Sequence, residues 1–157
     1  MSLNATIRRN VMKPMKLNLF IPTVVAGLAL AISLSAQQDT AKSPHQGTWK
    51  LVSLKYGDAK EFSDFPASQQ RLKLITDTHF TWIQYDTTGK QVQSVAGGSY
   101  SLEGNVYTET IEFAGQGMTA YLGGKHAFTI RVDGDKFFLS GQLADGLHIE
   151  EIWHRVK

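Results

Sequence analysis

The sequence contains no cysteine at all. That excludes disulfides, thiolate zinc sites, a thiol nucleophile and a lipid-attached cysteine behind a leader. A surplus of one charge is also missing. The 157 residues carry 16 Lys and Arg against 14 Asp and Glu. Met1 to Ala36 holds four of the bases (Arg8, Arg9, Lys13, Lys16) and no acid, so the other 121 residues have a formal net charge of −2. A balanced charge leaves no electrostatic footprint for nucleic acid, and none is expected as a partner. Beyond the leader, helical periodicity never persists for more than about ten residues, which argues against a helical domain. A nucleophile elbow and a phosphate loop are absent as well.

Lys13 and Lys16 precede an apolar run of 18 residues, Leu17 to Leu34, interrupted only by Asn18, Thr23 and Ser33. Small residues then lead into the polar stretch Gln37-Gln38-Asp39-Thr40. A basic start, an apolar middle and a small-residue exit describe a signal peptide over residues 1–36, cut after Ala36 or after Ser35. The first ten residues read as upstream extension, with Met12 or Met15 as alternative starts. An uncleaved anchor competes, because the run approaches the ~20 residues that span a bilayer. Pro22 and the small-residue exit favour cleavage. Residues 37–46, with Ser43-Pro44, read as a flexible lead-in. The expectation is an exported protein, periplasmic or secreted, with no stable membrane anchor once the leader is removed.

What the remainder does contain is 13 glycines and 15 Phe, Trp and Tyr residues, material for a packed β domain rather than for disorder. Strand segments are expected at Thr48–Tyr56, Arg71–Thr76, His79–Tyr85, Gln91–Leu102, Val106–Phe113, His126–Val132, Lys136–Gly141 and Leu147–Val156. Trp49, Leu51 and Ser53 alternate against Lys50, Val52 and Leu54, and Leu72 and Leu74 against Arg71 and Lys73. Asp86 to Lys90 reads as a hairpin loop with Gly89 available for a positive φ, and Asp133-Gly134-Asp135 as a tight hairpin. Gly97-Gly98 inside a strand marks a bulge or a sharp bend. Two connections are long. Gly57 to Gln70 has room for one helical turn, and Ala114 to Lys125 has four glycines and reads as a mobile loop.

Short links require antiparallel pairing, since parallel strands need crossovers of a dozen residues or more. Eight sequential strands over residues 47–157 suit a closed up-and-down barrel, which removes both sheet edges. A sandwich is the rival, but it needs long connections for which only two candidates exist. The fold class expected is therefore all-β, an eight-stranded antiparallel barrel after an N-terminal signal peptide.

Gly47-Thr48-Trp49 opens the first strand, and Trp153 and Arg155 lie in the last. This pattern resembles the lipocalins, in which an early Gly-X-Trp closes one barrel end under an arginine from the final strand. A guanidinium over an indole gains ~0.5–2 kcal/mol by itself. The strings Arg71-Leu-Lys-Leu-Ile75, His79-Phe-Thr-Trp82, Gly97-Gly-Ser-Tyr100, Gly104-Asn-Val-Tyr-Thr-Glu109 and Glu150-Glu-Ile-Trp153 further resemble a family of exported bacterial lipocalin-like proteins without an assigned activity. The resemblance spans Gly47 to Val156 and implies a calycin barrel holding a small apolar or amphipathic ligand. Haem-binding barrel relatives carry a glycine-rich opening after the tryptophan. Here Lys50-Leu51-Val52-Ser53 follows, and no cofactor is expected.

With Trp49 and Arg155 closing the base, strand alternation turns Glu151 and Trp153 inward, and with them Tyr107 and Glu109. Two carboxylates inside a barrel need partners, and Arg71, Lys73, Arg131 and the tyrosines are available. They form either a structural polar network or the orienting groups of a ligand cavity. The candidate ligand-binding residues are Trp82, Tyr85, Tyr100, Tyr107, Glu109, Phe128, Glu151 and Trp153, with Trp49 and Arg155 as barrel closure. A small barrel enzyme, an isomerase, lyase or hydrolase with Glu109 or His79 as general base, is the alternative. A partner-binding surface on the Ala114–Lys125 loop is a third. No metal site is expected. His148 and His154 share a face but are ~20 Å apart, and His148 with Glu150 makes only two ligands.

Overall fold

The computed structural model describes residues 42–157. The signal peptide read over residues 1–36, and the first part of the lead-in, lie outside the described residues. Nine strands follow in order: β1 (Gly47–Tyr56), β2 (Ser63–Asp64), β3 (Gln69–Ile75), β4 (His79–Asp86), β5 (Val92–Glu103), β6 (Val106–Ala114), β7 (Lys125–Asp133), β8 (Lys136–Gln142) and β9 (His148–Arg155). β1 pairs with β3, each later strand pairs with the next, and β9 returns to β1, all antiparallel. Eight strands thus close a barrel, while the two-residue β2 adds to the outer edge of β1. The closure ladder runs from Trp49 opposite Arg155 to Tyr56 opposite Ile149.

The segment between β1 and β3, read as having room for a helical turn, is extended instead. Ser53 pairs with Asp64, and Leu54 with Ser63, on the edge of β1 that β3 leaves free beyond Lys50. The β1–β9 register shifts between Leu51 and Ser53, and one extra residue exchanges the faces of everything beyond it. Trp49 and Leu51 are buried inside, but past the bulge it is Leu54 and Tyr56 that pack on the core. Ser53 instead donates to the Ser63 carbonyl at 3.0 Å.

β5 bends where expected. Its register with β6 shifts between Gly97 and Gly98. A Cβ on Gly98 would lie 2.0 Å from the Thr110 carbonyl oxygen, so no larger residue permits this approach. In the β4–β5 loop the positive φ falls on Lys90 (56°) rather than on Gly89. The Asp86 carboxylate accepts from the Gly89 and Gln91 amides there and holds the turn.

One end of the barrel is sealed. Arg155 lies over Trp49, 4.0 Å from guanidinium carbon to ring centroid. It donates to the carbonyls of Gln46 (2.8 Å) and Pro44 (2.6 Å). The Trp49 indole donates to the His45 carbonyl at 2.8 Å. The last residues of the stretch read as a flexible lead-in are therefore bound to the base. Gly47 adopts φ 136°, and a Cβ there would meet Arg155 Nη1 at 2.7 Å. The Gly-X-Trp pattern is thus a steric requirement of the plug.

Candidate functional site

A cavity of about 180 Å3 occupies the other half of the barrel. Its walls are Ile111 from β6, Phe128 from β7, Leu139 from β8 and Ile149 from β9, with Met118, Leu143 and Leu147 from the loops at the mouth. Alternation along the strands delivers these side chains. In β7, His126, Phe128 and Ile130 are buried between exposed Lys125, Ala127 and Thr129. The glycine-rich 115–124 loop, read as mobile, is folded over this end. A 3-10 turn, Thr119–Tyr121, is held by Gly123 N to Ile111 O (2.8 Å) and Gly115 N to Val95 O (2.8 Å). Tyr121 donates to Asp145 at 2.8 Å, joining this loop to the β8–β9 turn across the mouth.

The floor is charged. β3 turns Arg71, Lys73 and Ile75 inward and leaves Leu74 exposed, so its basic residues, not its leucines, occupy the interior face. Lys73 Nζ lies 2.5 Å from Glu109 Oε1, with both side chains about 95% buried. The rings of Phe80, Tyr107 and Trp153 surround the ammonium at 5.5–5.7 Å. Arg71 Nη1 donates to Glu151 at 3.2 Å and to the Tyr56 hydroxyl at 2.9 Å. Its Nε and Nη2 donate to Gln84 at 2.9 and 2.5 Å. The Tyr56 hydroxyl donates to the same Glu151 oxygen that accepts from Arg71, and the Trp153 indole donates to the other at 3.1 Å. Arg71 also stacks between Phe65 and Trp82, with ring centroids 5.4 and 5.1 Å away.

Burial raises the Glu109 carboxyl above its ordinary range, and the neighbouring Lys73 charge opposes that rise. Tyr56 is raised strongly by burial and then by the Glu151 charge. Tyr107 is raised by burial and then by Glu109. His126 and His45 are lowered by burial. Burial thus favours the neutral forms of both phenols and both imidazoles, while at Glu109 the same effect is opposed by the Lys73 charge.

Trp82, Glu109, Phe128, Glu151 and Trp153 do line the cavity. Tyr107 sits behind Glu109 on the sealed side, packed on Tyr100 at 4.7 Å between ring centroids. Tyr100 serves the base: its hydroxyl donates to the Thr76 carbonyl at 2.7 Å and lies 3.0 Å from His45 Nε2. Tyr85 alternates away from Phe80 and Trp82 and does not line the cavity. Arg131 lies outside, stacked on Phe138 at 3.9 Å. His79 is exposed at the sealed end, with Nδ1 2.7 Å from Thr78 Oγ1, so it reaches neither the mouth nor the cavity.

Residues that sequence reasoning missed are Tyr56, Met118, Tyr121, Leu143 and, above all, His126. His126 begins a strand whose alternation with Phe128 places it inward, and that parity was the available signal. Among the described residues no three His, Asp or Glu side chains are grouped to hold a metal. A second hollow of about 440 Å3 lies outside the sheet beside Phe62, Arg131, Phe138 and Glu150. It is larger but more open, and the Arg131 side chain on it is 59% exposed. An occupant there would stay wet and gain little from desolvation.

No family model matches the chain, and no curated protein matches it. Among solved structures it is similar to a lipocalin-like protein from Bacteroides uniformis, with a TM-score of 0.53 and 16% identity, covering 73% of this chain and 100% of that one. It is also similar to an uncharacterized protein from Bacteroides eggerthii, with a TM-score of 0.49 and 12% identity, covering 71% of this chain and 98% of that one. At such identities the first likeness shows the fold, a lipocalin-like barrel, and nothing finer.

Proposed function

We propose that the protein binds one small, mainly apolar molecule inside the barrel, its polar end directed at the charged floor or at His126. The supporting observation is the cavity of about 180 Å3, apolar on its walls and polar at its floor. An apolar cavity of ~150 Å3 is large enough for benzene, so the occupant is one ring or a short chain, not a long lipid. Burying ~200 Å2 of such a ligand gains ~5 kcal/mol before the losses of association, which points to affinities of about 0.2 mM or weaker. The reading favours binding over catalysis because Glu109 is engaged by Lys73 and His79 lies outside the cavity. Neither is disposed to take a proton from an occupant. We also propose, from the leader pattern, that the protein works outside the cytoplasm.

Native mass spectrometry of the protein purified from its own host tests the binding reading. A bound small molecule that a bulky Leu143→Trp variant loses supports it. Retention of the same mass by that variant counts against this cavity. The N-terminal residue of the exported protein tests the leader, with Gln37 or Ala36 expected first.

A further inference from the structure

His126 is 3% exposed, lines the cavity, and has no protein hydrogen-bond partner on either ring nitrogen. Its neighbours in the wall do not supply one. Tyr121 meets it edge-on, with ring centroids 5.6 Å apart, and spends its hydroxyl on Asp145. The acids and bases lining the cavity are committed to one another: Lys73 to Glu109, and Arg71, with Tyr56, to Glu151. Buried polar atoms without an aligned partner also include Tyr107 Oη and Glu109 Oε1. Glu109 has the Lys73 ammonium at its side, and Tyr107 lies behind it on the sealed side. Among the described residues His126, cross-strand from Glu109, is the buried cavity-lining side chain with both of its polar atoms left unpaired.

A neutral imidazole offers one donor and one acceptor. A hydroxyl answers whichever of the two faces the cavity, donating to the bare nitrogen or accepting from the N–H, whereas an ether or ketone answers only the donor. A carboxylate would lose its hydration there, and the cations of the floor, Lys73 and Arg71, are already engaged by Glu109 and Glu151. Burial also holds this imidazole toward its neutral form. Resting on the binding reading above, we propose that His126 is the hydrogen-bonding anchor of the cavity, and that its ligands are small uncharged alcohols or phenols.

Calorimetric titration of the protein with benzyl alcohol, toluene and benzoate tests this, on wild type, His126→Phe and His126→Gln. His126→Phe should weaken benzyl alcohol about tenfold and leave toluene unchanged, the loss expected for one buried hydrogen bond. His126→Gln should restore part of it, and benzoate should bind wild type least. Imidazole 15N shifts of His126 on adding benzyl alcohol give a readout that does not depend on any variant folding. Unmoved shifts, equal effects of His126→Phe on toluene and benzyl alcohol, or tightest binding of benzoate would overturn the assignment and leave the cavity reading standing. Failure of all three probes to bind wild type would overturn both.

Discussion

Lys73 of β3 and Glu109 of β6 meet at 2.5 Å across the lumen, although their strands are not neighbours in the sheet. The pair closes the floor of the cavity and separates it from the aromatic base. Both partners are desolvated, so each depends on the other far more than a surface pair would. Removing either one leaves a buried charge. Lys73→Met or Glu109→Leu alone should cost ~3–5 kcal/mol, while the two together should recover most of that loss. Urea unfolding of the four proteins as a double-mutant cycle measures it. A double variant as unstable as the worse single would contradict the pairing.

Stability should fall on acidification through the histidine range. His126 and His45 have folded-state pKa values lowered from 6.5 by burial. Below pH 6.5 the unfolded chain therefore binds more protons than the native one. Stability is fully present above 6.5 and is lost as pH falls toward the lowered folded values. Glu109 acts in the opposite sense: its raised folded value means stability falls as pH rises from 4.5 through that value. Wild type and His126→Phe both carry Glu109, which faces position 126 across the β6–β7 ladder, so the acid side of the comparison is read above the ordinary carboxylate range. Thermal unfolding between pH 5 and 8 should show a shallower acid-side decline in the variant. Parallel curves would place no titration at His126.

The base should be sensitive to its arginine and its glycine. Arg155→Ala removes the stacking on Trp49 and the donors to Pro44 and Gln46, a loss of ~1–3 kcal/mol. Gly47→Ala brings a Cβ within 2.7 Å of Arg155 Nη1 at φ 136° and should lose at least ~1 kcal/mol. In the double variant the steric part vanishes, so the two losses should not add. Chemical denaturation gives all three values, and strict additivity would argue against the contact.

The mouth should loosen when its cross-link is cut. Tyr121→Phe removes the bond to Asp145 that joins the two loops. The bond is largely solvent-exposed, so the global loss should be under ~1 kcal/mol. Local opening should rise more, and hydrogen exchange at the Gly123 and Ile111 amides, whose bonds pin the loop, should quicken. Unchanged exchange at both amides would show that the hydroxyl does not restrain the loop.

Much of the barrel was legible in the chain. Two-residue periodicity and turn chemistry mark the eight strands, and both are local properties. Trp49 and Arg155 announce the closure because an indole and a guanidinium at opposite chain ends suit one stacked plug. The inward set Glu109, Glu151 and Trp153 follows from alternation once that plug orients the strands. Alternation failed where a bulge intervened: the slip between Leu51 and Ser53 turned Tyr56 inward, onto Glu151. In β3 alternation separated the leucines from the bases without choosing a face, and the interior took Arg71 and Lys73, two of the partners available to the carboxylates of β9 and β6.

What the chain determined alone is therefore the strands, their turns and the two residues that close the base, since each depends on near neighbours or on a self-sufficient contact. The tertiary structure decided which charges face one another, which tyrosines serve the base, and that His126 is left without a partner on the cavity wall. Those outcomes depend on strand stagger around a closed circle, and stagger brings together residues that no spacing in the sequence relates.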